Sequence, residues 1–484
     1  MDNNTFEKRK IALDTLENIS KEWDIEAKQE DSKFFYSFDI INKIKRGDTR
    51  YVIGRKGMGK TAISEYLANN HSNMEFTCRL SFKNFPFNYL YSLEDLNYRK
   101  PNQYISIWKY VIYNSICKMM ANNEGIDNSI TQKLQELYLS TSPTEKTLSK
   151  IIKKWTTTGF GFQILGSGIT VNGERLEFSS DSNWCEKTNI LEKIICEYGG
   201  NYKYYILIDE LDEDYTTFSS EKEKQQYFQL ITSLIKAIQL IKTELSEIEG
   251  SFIPVVFLRN DIYSQIKDAD KNKWREHISE LSWNSQELKK MLCKRLCISS
   301  NNRLSENTVW NILFSSDPVY MGNRQKNSMP IFDYITRSTH LRPRDYIFYI
   351  KKCAEKAIEK GDTYIKGQTV KEVDRVFSEY LKSEIIDEIF VEIPNYSDVF
   401  SILSQIRKQT FSPDLFISNY SKLPNQNEET AKELLIKLFN FGIIGNQPSM
   451  KGQQIFKYQY PDALFNYTES LIIHRGLYKA LQIF

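Results

Sequence analysis

Two hydrophobic patterns alternate along the first 300 residues of this chain. Short, mainly apolar runs at residues 50–53, 203–208 and 252–258 are each followed by polar residues, which is typical of strands buried on both faces. Residues 75–82 are a further strand candidate. Between the last two runs, residues 221–247 carry apolar side chains at helical spacing. Strands that alternate with helices predict a parallel α/β sheet.

Residues 85–185 interrupt this alternation. They contain a predicted aromatic-rich helix at 104–120, a second helix at 145–155 and a glycine-rich, β-like stretch at 160–178. A segment of this length is too long for a connecting loop, so the sequence predicts an inserted subdomain.

Helical spacing predominates from about residue 300 to about residue 386. The last hundred residues then predict helices at 399–408, 413–418 and 430–441, followed by a β-hairpin formed at residue 444 and residues 455–460. Three helices followed by a hairpin are typical of a winged helix.

Composition indicates a globular protein with a balanced surface. Of 484 residues, 41% are hydrophobic and 26% charged, and 64 basic against 62 acidic side chains leave a formal net charge of +2. Because the charges balance so closely, the chain has no overall positive field to attract a polyanion. Nucleic-acid binding would therefore need a local basic patch.

The cysteines and histidines argue against a zinc or iron–sulfur site. Seven cysteines include no Cys-x-x-Cys pair, and only four histidines occur. Cys293 and Cys297 lie one helical turn apart, and we predict small apolar residues on a buried face rather than a ligand pair. The odd cysteine count suits a reducing cytosol. Since the sequence shows no signal-peptide pattern and no apolar run near 18 residues, we expect a cytoplasmic protein that does not enter a membrane.

A complete P-loop occupies residues 54–61, which read Gly-Arg-Lys-Gly-Met-Gly-Lys-Thr between a predicted strand and a predicted helix. Glycines let successive backbone N–H groups form an anion-binding nest at a helix N-terminus. Lys60 can then reach the β- and γ-phosphates of a nucleoside triphosphate, and the Thr61 hydroxyl can bind Mg²⁺. The predicted nucleotide contacts in and beside the loop are Gly54, Lys56, Gly57, Met58, Gly59, Lys60, Thr61 and Ala62.

A pair of carboxylates follows the apolar run at 203–208. Asp209 is predicted to hold Mg²⁺ through water, and Glu210 to orient and deprotonate the attacking water. For the acidic residues 212–214 that follow, we favour a solvated loop.

Two weaker signals complete the predicted site. Asn260, with Arg259 as the alternative, ends the run at 252–258 and could sense the γ-phosphate; an ordinary turn residue remains open for either. Arg344 lies in the first turn of a predicted helix, where a cation opposes the helix dipole, so it could bind a phosphate or pair with Asp345 or a nearby acid.

These residues resemble the AAA+ and STAND-type P-loop ATPases, and most closely the bacterial branch that is similar to the Orc/Cdc6 initiators. Residues 54–61 match Walker A, residues 208–212 Walker B and residues 258–260 the end of the sensor-1 strand; residues 342–345 look like the start of the sensor-2 helix, and residues 390–484 like the terminal winged helix. No counterpart is evident for the insert.

The resemblance implies a fold class and a mode of action. The fold would be a P-loop ATPase parallel sheet with an additional strand, in which the 252–258 strand lies between the P-loop strand and the Asp209 strand, followed by a helical lid and a C-terminal winged helix. ATP with Mg²⁺ would drive a switch in a homo-oligomer, with Arg275 as a possible arginine supplied to the neighbouring subunit. The usual sensor-2 glycine is missing from the stretch His340-Leu341-Arg342, so Arg342 and Arg344 are both candidates for phosphate contact.

The resemblance and the patterns together predict four regions. These are an N-terminal helical segment (1–48), a P-loop ATPase core (49–300) with its insert, a helical lid (301–388) and a winged-helix-like domain (389–484).

Charge argues against DNA as the partner of the last domain. From residue 390 onward there are nine basic and eight acidic side chains, although Lys451 and Lys457 on the hairpin could contact phosphates. We therefore favour a protein-contact or autoinhibitory role. We expect the closing stretch at 472–479, including His474, to pack back on the core.

The leading hypothesis is an ATP-hydrolysing oligomeric switch that controls a partner effector in antiphage defence. The alternatives are a DNA-binding loader or transposition-helper ATPase and a non-hydrolysing scaffold with structural ATP.

Overall fold

The structure is a computed structural model that describes most of the chain. The described residues are 3–24, 34–36, 39–69, 72–93, 95, 98–138, 147–157, 160, 170–171, 174–175, 184–212, 215, 218, 220–246, 248, 250–322, 326–448 and 453–483. They form two compact units. The sheet unit comprises Ser37–Arg55 and Lys60–Leu281, and the helical unit comprises Met1–Tyr36, Lys56–Gly59 and Ser282–Phe484.

The helices of the described residues are, in chain order, α1 (Asn3–Glu22), α2 (Asp39–Arg46), α3 (Lys60–Asn69), α4 (Phe87–Tyr91), α5 (Ile105–Met120), α6 (Asn128–Tyr138), α7 (Leu148–Thr156), α8 (Trp184–Tyr198), α9 (Glu221–Glu244), α10 (Asn260–Gln265), α11 (Lys271–Trp274), α12 (Ser285–Ser299), α13 (Val309–Leu313), α14 (Ile331–Thr336), α15 (Pro343–Glu359), α16 (Gly367–Ile389), α17 (Tyr396–Ile406), α18 (Pro413–Tyr420) and α19 (Glu428–Asn440). None of them is long and apolar enough to cross a membrane.

The strands of the described residues are β1 (Tyr51–Gly54), β2 (Glu75–Ser81), β3 (Thr170–Val171), β4 (Glu174–Arg175), β5 (Lys203–Asp209), β6 (Ser251–Arg259), β7 (Ile278–Glu280), β8 (Val319–Met321), β9 (Asn327–Met329), β10 (Thr410–Phe411), β11 (Ile444–Gln447) and β12 (Ser470–Ile473).

A five-stranded parallel sheet in the order β2-β5-β6-β1-β7 forms the centre of the sheet unit. β5 and β6 are buried along almost their whole length, which explains their continuous apolar sequences. The predicted parallel α/β sheet is confirmed, and so is the position of β6 between β1 and β5. In this register the carboxyl ends of the strands align, with Ser81 opposite Asp209 and Gly54 opposite Arg259.

Of the described residues between β2 and β5, helix α5 packs directly on this sheet. Helix α5, predicted from its aromatic residues, contacts β2, β5, α8 and α9 and is buried on nearly all sides. The indole N–H of Trp108 donates to the carbonyl of Leu230 on α9 (2.9 Å), which fastens the two helices. The second predicted helix is α7. Most of the glycine-rich stretch lies outside the described residues, and within it β3 and β4 pair antiparallel.

The helical unit is built around α12 to α16. Helix α1 packs against α12, α13 and α15. Trp23, just after α1, is fully buried, and its indole N–H donates to the Ser299 hydroxyl (2.8 Å). The mainly helical pattern is confirmed, but it did not predict the β8–β9 hairpin, whose two strands have only three residues each.

Residues 396–473 contain the three predicted helices, α17, α18 and α19, and a small antiparallel sheet in the order β10-β12-β11. The strand predicted at 455–460 is wrong. Ile455 makes only an isolated bridge to Asn446, and the chain then turns, with Phe456 accepting from the amide of Tyr460. The partner of β11 is β12, whose apolar residues Leu471 to Ile473 are buried, because burial selects the continuous apolar run over the half-polar one.

The closing stretch, residues 472–479, was expected to pack back on the core. Its residue Arg475 packs on α16 of the same unit. Asp374 on α16 accepts hydrogen bonds from the Arg475 guanidinium (3.0 Å) and from the hydroxyl of Tyr349 (2.6 Å). Gly476 is required there, because a Cβ would lie 2.2 Å from the carbonyl oxygen of Ser338. His474 is buried, and its Nε2 lies 2.9 Å from the Tyr458 hydroxyl.

Candidate functional site

The P-loop has the predicted context, between β1 and the start of α3 at Lys60. Gly57 and Gly59 have left-handed backbone angles, φ 79° and φ 99°, which residues other than glycine rarely adopt. A Cβ at Gly59 would meet no atom within 4 Å, so the space before the loop is open. Thr61 and Ala62 lie in the first turn of α3, and the Thr61 hydroxyl makes no hydrogen bond within the described residues.

Lys60 turns its ammonium group back onto its own loop. Its Nζ donates to the carbonyl oxygens of Gly54 (2.9 Å) and Arg55 (3.1 Å). Burial lowers the pKa of Lys60, and the carboxylate of Asp212 acts in the opposite direction. The charge of Asp209 also favours the ammonium form, so Lys60 lies in the field of the carboxylates that follow β5.

Asp209 is the last residue of β5, and its side chain is almost completely buried. Burial raises the pKa of its carboxyl to about 6, while the guanidinium of Arg79 opposes this shift. Glu210 follows at φ 62°, a left-handed conformation that is uncommon for glutamate. Its amide donates to Oδ1 of Asp209 (2.9 Å), so the first carboxylate helps to fix the second residue's backbone.

Two residues of β2, Arg79 and Ser81, hold these carboxylates and were missed by the sequence analysis. The Arg79 guanidinium lies 2.6 Å from Glu65, 3.3 Å from Asp209 and 3.5 Å from Glu210. The Ser81 hydroxyl donates to the carboxylate of Glu210. The available signal was the alternation of polar residues at the carboxyl end of β2, but it has meaning only once β2 is known to pair with β5.

The end of β6 places Arg259 and Asn260 differently. Arg259 is buried and its guanidinium pairs with Asp261 (2.6 Å) and Asp212 (3.5 Å). Its charge lowers the pKa of Lys60, so it belongs to the same electrostatic cluster. Asn260 begins α10 with an exposed side chain that makes no hydrogen bond within the described residues. Asn260 as the γ-phosphate sensor stays a prediction, and the geometry favours Arg259 as the residue coupled to Lys60.

The acidic residues after Glu210 are only partly described. Asp212 pairs with Arg259 rather than standing alone in solvent, whereas Glu213 and Asp214 lie outside the described residues.

In the helical unit, P-loop residues Lys56 and Gly57 contact helices α15 and α16. Lys56 Nζ lies 2.8 Å from Asp387 and 3.7 Å from Glu384, both on α16. The Arg344 amide lies 3.5 Å from the carbonyl oxygen of Gly57, and its guanidinium pairs with Glu384 (3.2 Å). The pair with Glu384 is the alternative of a nearby acid, and phosphate binding by Arg344 stays a prediction.

The other P-loop residue of this unit, Met58, is buried, and its carbonyl accepts from the Trp283 indole (3.0 Å).

Arg342, the second predicted phosphate contact, is completely buried. Its guanidinium pairs with Asp345 (3.0 Å) and with Glu388 on α16, so both of its carboxylate partners lie inside the unit. Leu341 before it adopts φ 54°, a left-handed conformation that is uncommon for leucine. Both arginines lie near Gly57, where an added Cβ would be 3.2 Å from Cβ of Arg344 and 3.6 Å from Cδ of Arg342, but only Arg344 is partly exposed.

The chain is similar to known proteins in two ways. A family model described as "FunZ-associated C-terminal helical domain" matches residues 286–386, which run from α12 into α16. Solved structures that resemble the chain include a Walker-type ATPase of Pyrococcus abyssi, with 12% identity over 95% of this chain and 96% of that chain and a TM-score of 0.38. A second is Cdc6p from Pyrobaculum aerophilum, with 12% identity over 93% of this chain and 96% of that chain and a TM-score of 0.33. A third is the ORC2 protein of Aeropyrum pernix, with 11% identity over 90% of this chain and 87% of that chain and a TM-score of 0.40.

These relatives are of the kind that the sequence motifs resemble, and a comparison with curated proteins finds no match. Because these TM-scores are low, the assignment of a P-loop ATPase fold rests on the strand order and the glycine-rich loop of this chain itself.

We expect Asp209 to make nucleotide-dependent Mg²⁺ binding sensitive to acid. Its carboxyl has a pKa of about 6, so below that pH it takes up a proton and its contribution to Mg²⁺ affinity falls about tenfold per pH unit. Mg²⁺ titration of the ATP-bound protein from pH 5 to pH 8 measures this. Asp209→Asn is the control, since it keeps the pH dependence of ATP itself. A difference between the two proteins that stays constant across this range would contradict the assignment.

Glu384→Gln should raise the affinity for ATP about fivefold. With Arg344 as the predicted phosphate contact, the Glu384 carboxylate would compete with phosphate for it, and losing such a half-buried ion pair would free ~1 kcal/mol for the ligand. The Kd of a fluorescent ATP analogue measures the change. Glu379→Gln, an exposed change on the same helix, is the matched control. Unaltered or weaker binding in a normally folded Glu384→Gln protein would show that this carboxylate does not compete.

Proposed function

We propose that this chain binds ATP with Mg²⁺ and hydrolyses it, and that hydrolysis drives a switch in a homo-oligomer. The observation that carries the proposal is the placement of Asp209 and Glu210 at the end of buried β5, with Lys60 in the field of the same carboxylates. A glycine-rich loop alone would support binding, whereas the second carboxylate supports hydrolysis.

The residues of the sheet unit fit a bound Mg²⁺. Thr61 offers a hydroxyl and Asp209 a carboxylate, which are the oxygen ligands that Mg²⁺ prefers, and two protein ligands leave room for water and phosphate oxygens. When bound, Mg²⁺ neutralises charge on the phosphates. The Lys60 ammonium would exchange its contacts with the carbonyls of Gly54 and Arg55 for phosphate oxygens.

Glu210 is the proposed general base. Its carboxylate would accept a proton from the attacking water, and Arg79 with Ser81 would set its orientation. The Ser81 and Arg79 contacts both end on Oε2 of Glu210, and Oε1 makes no hydrogen bond within the described residues. Oε1 would therefore be the oxygen that accepts the proton while Oε2 keeps both contacts.

Arg275 is proposed to complete the site of a neighbouring subunit. It begins a short 3-10 turn, Arg275–His277, immediately before β7, and its side chain is exposed. Among the described residues it has no ion-pair partner, in contrast to Arg79, Arg259, Arg342 and Arg344. An exposed, uncompensated arginine can supply charge to phosphate from outside its own subunit.

The wider role, control of a partner effector in antiphage defence, is a hypothesis that rests on the resemblance alone. The DNA-loader or transposition-helper reading is kept as the alternative. Of the two hairpin lysines named for it, Lys457 donates to the Ala463 carbonyl (2.8 Å), and Lys451 lies outside the described residues.

Glu210→Gln should lower kcat for ATP hydrolysis by about a hundredfold or more while leaving the Kd for ATP within a few-fold, because an amide cannot accept the proton from water. Phosphate release and nucleotide binding are measured on the same preparation. Glu124→Gln, an exposed change in the same unit, should leave both values unaltered. Equal ATP-dependent assembly of the wild type and Glu210→Gln, with turnover in neither, would instead favour the non-hydrolysing scaffold.

A mixing experiment tests Arg275. Arg275→Ala and Glu210→Gln proteins should each be inactive alone, yet a mixture should recover part of the turnover, because one variant keeps an intact base and the other supplies the arginine. Lys273→Ala, an exposed change nearby, should keep wild-type activity. A mixture as inactive as its components, with mixed assembly verified, would place the role of Arg275 within its own subunit or exclude it.

A further inference from the structure

Large apolar side chains are exposed together on the C-terminal domain. Of ten such side chains exposed in the described residues, four lie here: Ile436 on α19 and Tyr460, Leu464 and Tyr467 on the wing, which we define as residues 453–469. Leu464 is 85% exposed, more than any of the other nine. Isolated exposed apolar residues are ordinary, but a group on one helix and its adjoining wing marks a surface that contacts something.

The group is held in place by the domain beneath it. The Tyr467 hydroxyl donates to the carbonyl of Lys432 on α19 (3.0 Å), one turn before Ile436. The ring of Phe465 packs 4.7 Å from that of Tyr467 and 5.6 Å from that of Phe439 on α19. The apolar face therefore exists before any partner arrives, which keeps the entropic cost of binding low.

The cations of this face are already engaged. Lys432 pairs with Glu428, Lys437 donates to the carbonyl of Glu392 (3.0 Å), and Lys457 donates to that of Ala463 (2.8 Å). These are all the cations of α19 and the wing, since Lys451 precedes the wing and is not described.

The acids of the same face are exposed. Glu429, Glu433 and Asp462 point to solvent and make no ion pair within the described residues. Burial raises the pKa of the Tyr467 phenol, the charge of Lys432 lowers it, and the charge of Glu433, the smaller of the two, raises it. The charged groups of α19 and the wing that have neither a hydrogen bond nor an ion pair within the described residues are therefore negative.

We propose that this face docks a partner protein through a segment with an apolar anchor flanked by lysine or arginine. The anchor would pack on Ile436, Leu464 and Tyr467, and its basic flanks would meet Glu429, Glu433 and Asp462. Binding to a nucleic-acid backbone needs available cations, and the described lysines of α19 and the wing are each engaged within the chain. The proposal identifies a docking surface for the partner of the proposed switch but does not depend on ATP hydrolysis, so either can fail without the other.

The test uses the full chain and a displayed library of random 16-residue peptides. Peptides are selected on the wild-type protein without nucleotide, and their binding is then measured by fluorescence anisotropy on Leu464→Ser and Glu433→Lys proteins. Both positions are exposed, so the fold should be retained, which the thermal unfolding midpoint verifies. The matched controls are Val376→Ser and Glu379→Lys, at exposed positions of α16.

The expected result is a set of peptides with one or two large apolar residues between basic ones, which bind at least tenfold more weakly to each face variant and equally well to the controls. The proposal would be overturned by selection of acidic peptides or of peptides without an apolar anchor. It would also be overturned by peptides whose binding neither Leu464→Ser nor Glu433→Lys weakens. Duplex DNA binding that Lys432→Ala and Lys457→Ala weaken, or a dimer of this chain that Leu464→Ser dissociates, would overturn it as well. ATP turnover is measured separately, so an inactive protein that still selects these peptides would fail only as an ATPase.

Discussion

Charge compensation at the carboxyl end of the parallel sheet is the constraint on which the sheet unit's site depends. β5 delivers two consecutive carboxylates there, Asp209 and Glu210, and burying like charges together is costly unless cations lie beside them. Arg79 from β2 and Lys60 from α3 supply that compensation. Because each charge comes from a different element, the arrangement requires this strand order and could not be assembled from any one segment.

The helical unit follows the same principle with a different set of partners. Lys56 in the P-loop and Arg344 beside it form ion pairs with carboxylates of α16. A phosphate would replace those carboxylates rather than enter an uncompensated positive site. The segment that carries Arg344 also reaches the C-terminal domain, since Nε2 of His340 lies 3.2 Å from the carbonyl oxygen of Gly442, just after α19. The end of α19 is therefore connected to Arg344 through this contact of His340 and the backbone between His340 and Arg344.

The sequence was sufficient for features that are encoded locally. The P-loop, the buried strands and the helices of the last domain follow from contiguous patterns, and all were predicted close to their observed positions. Features that depend on distant pairing were not accessible. Arg79 and Ser81 gain their role only through the pairing of β2 with β5, about 130 residues away, and the strand β12 was missed because the alternating residues at 455–460 predict the second hairpin strand there. The burial of Arg342 likewise depends on its pairing with Glu388 of α16, 46 residues further along the chain.

The left-handed backbone of Glu210 has a consequence for how this site can change by mutation. Glutamate at φ 62° is less favourable than glycine there by roughly 1–2 kcal/mol, so folding alone would favour losing the side chain. With Glu210 as the proposed base, retaining its carboxylate would trade some thermodynamic stability for activity. Random drift without selection on activity would therefore be expected to replace Glu210 early, and to leave behind a more stable protein that still folds but has lost the proposed base.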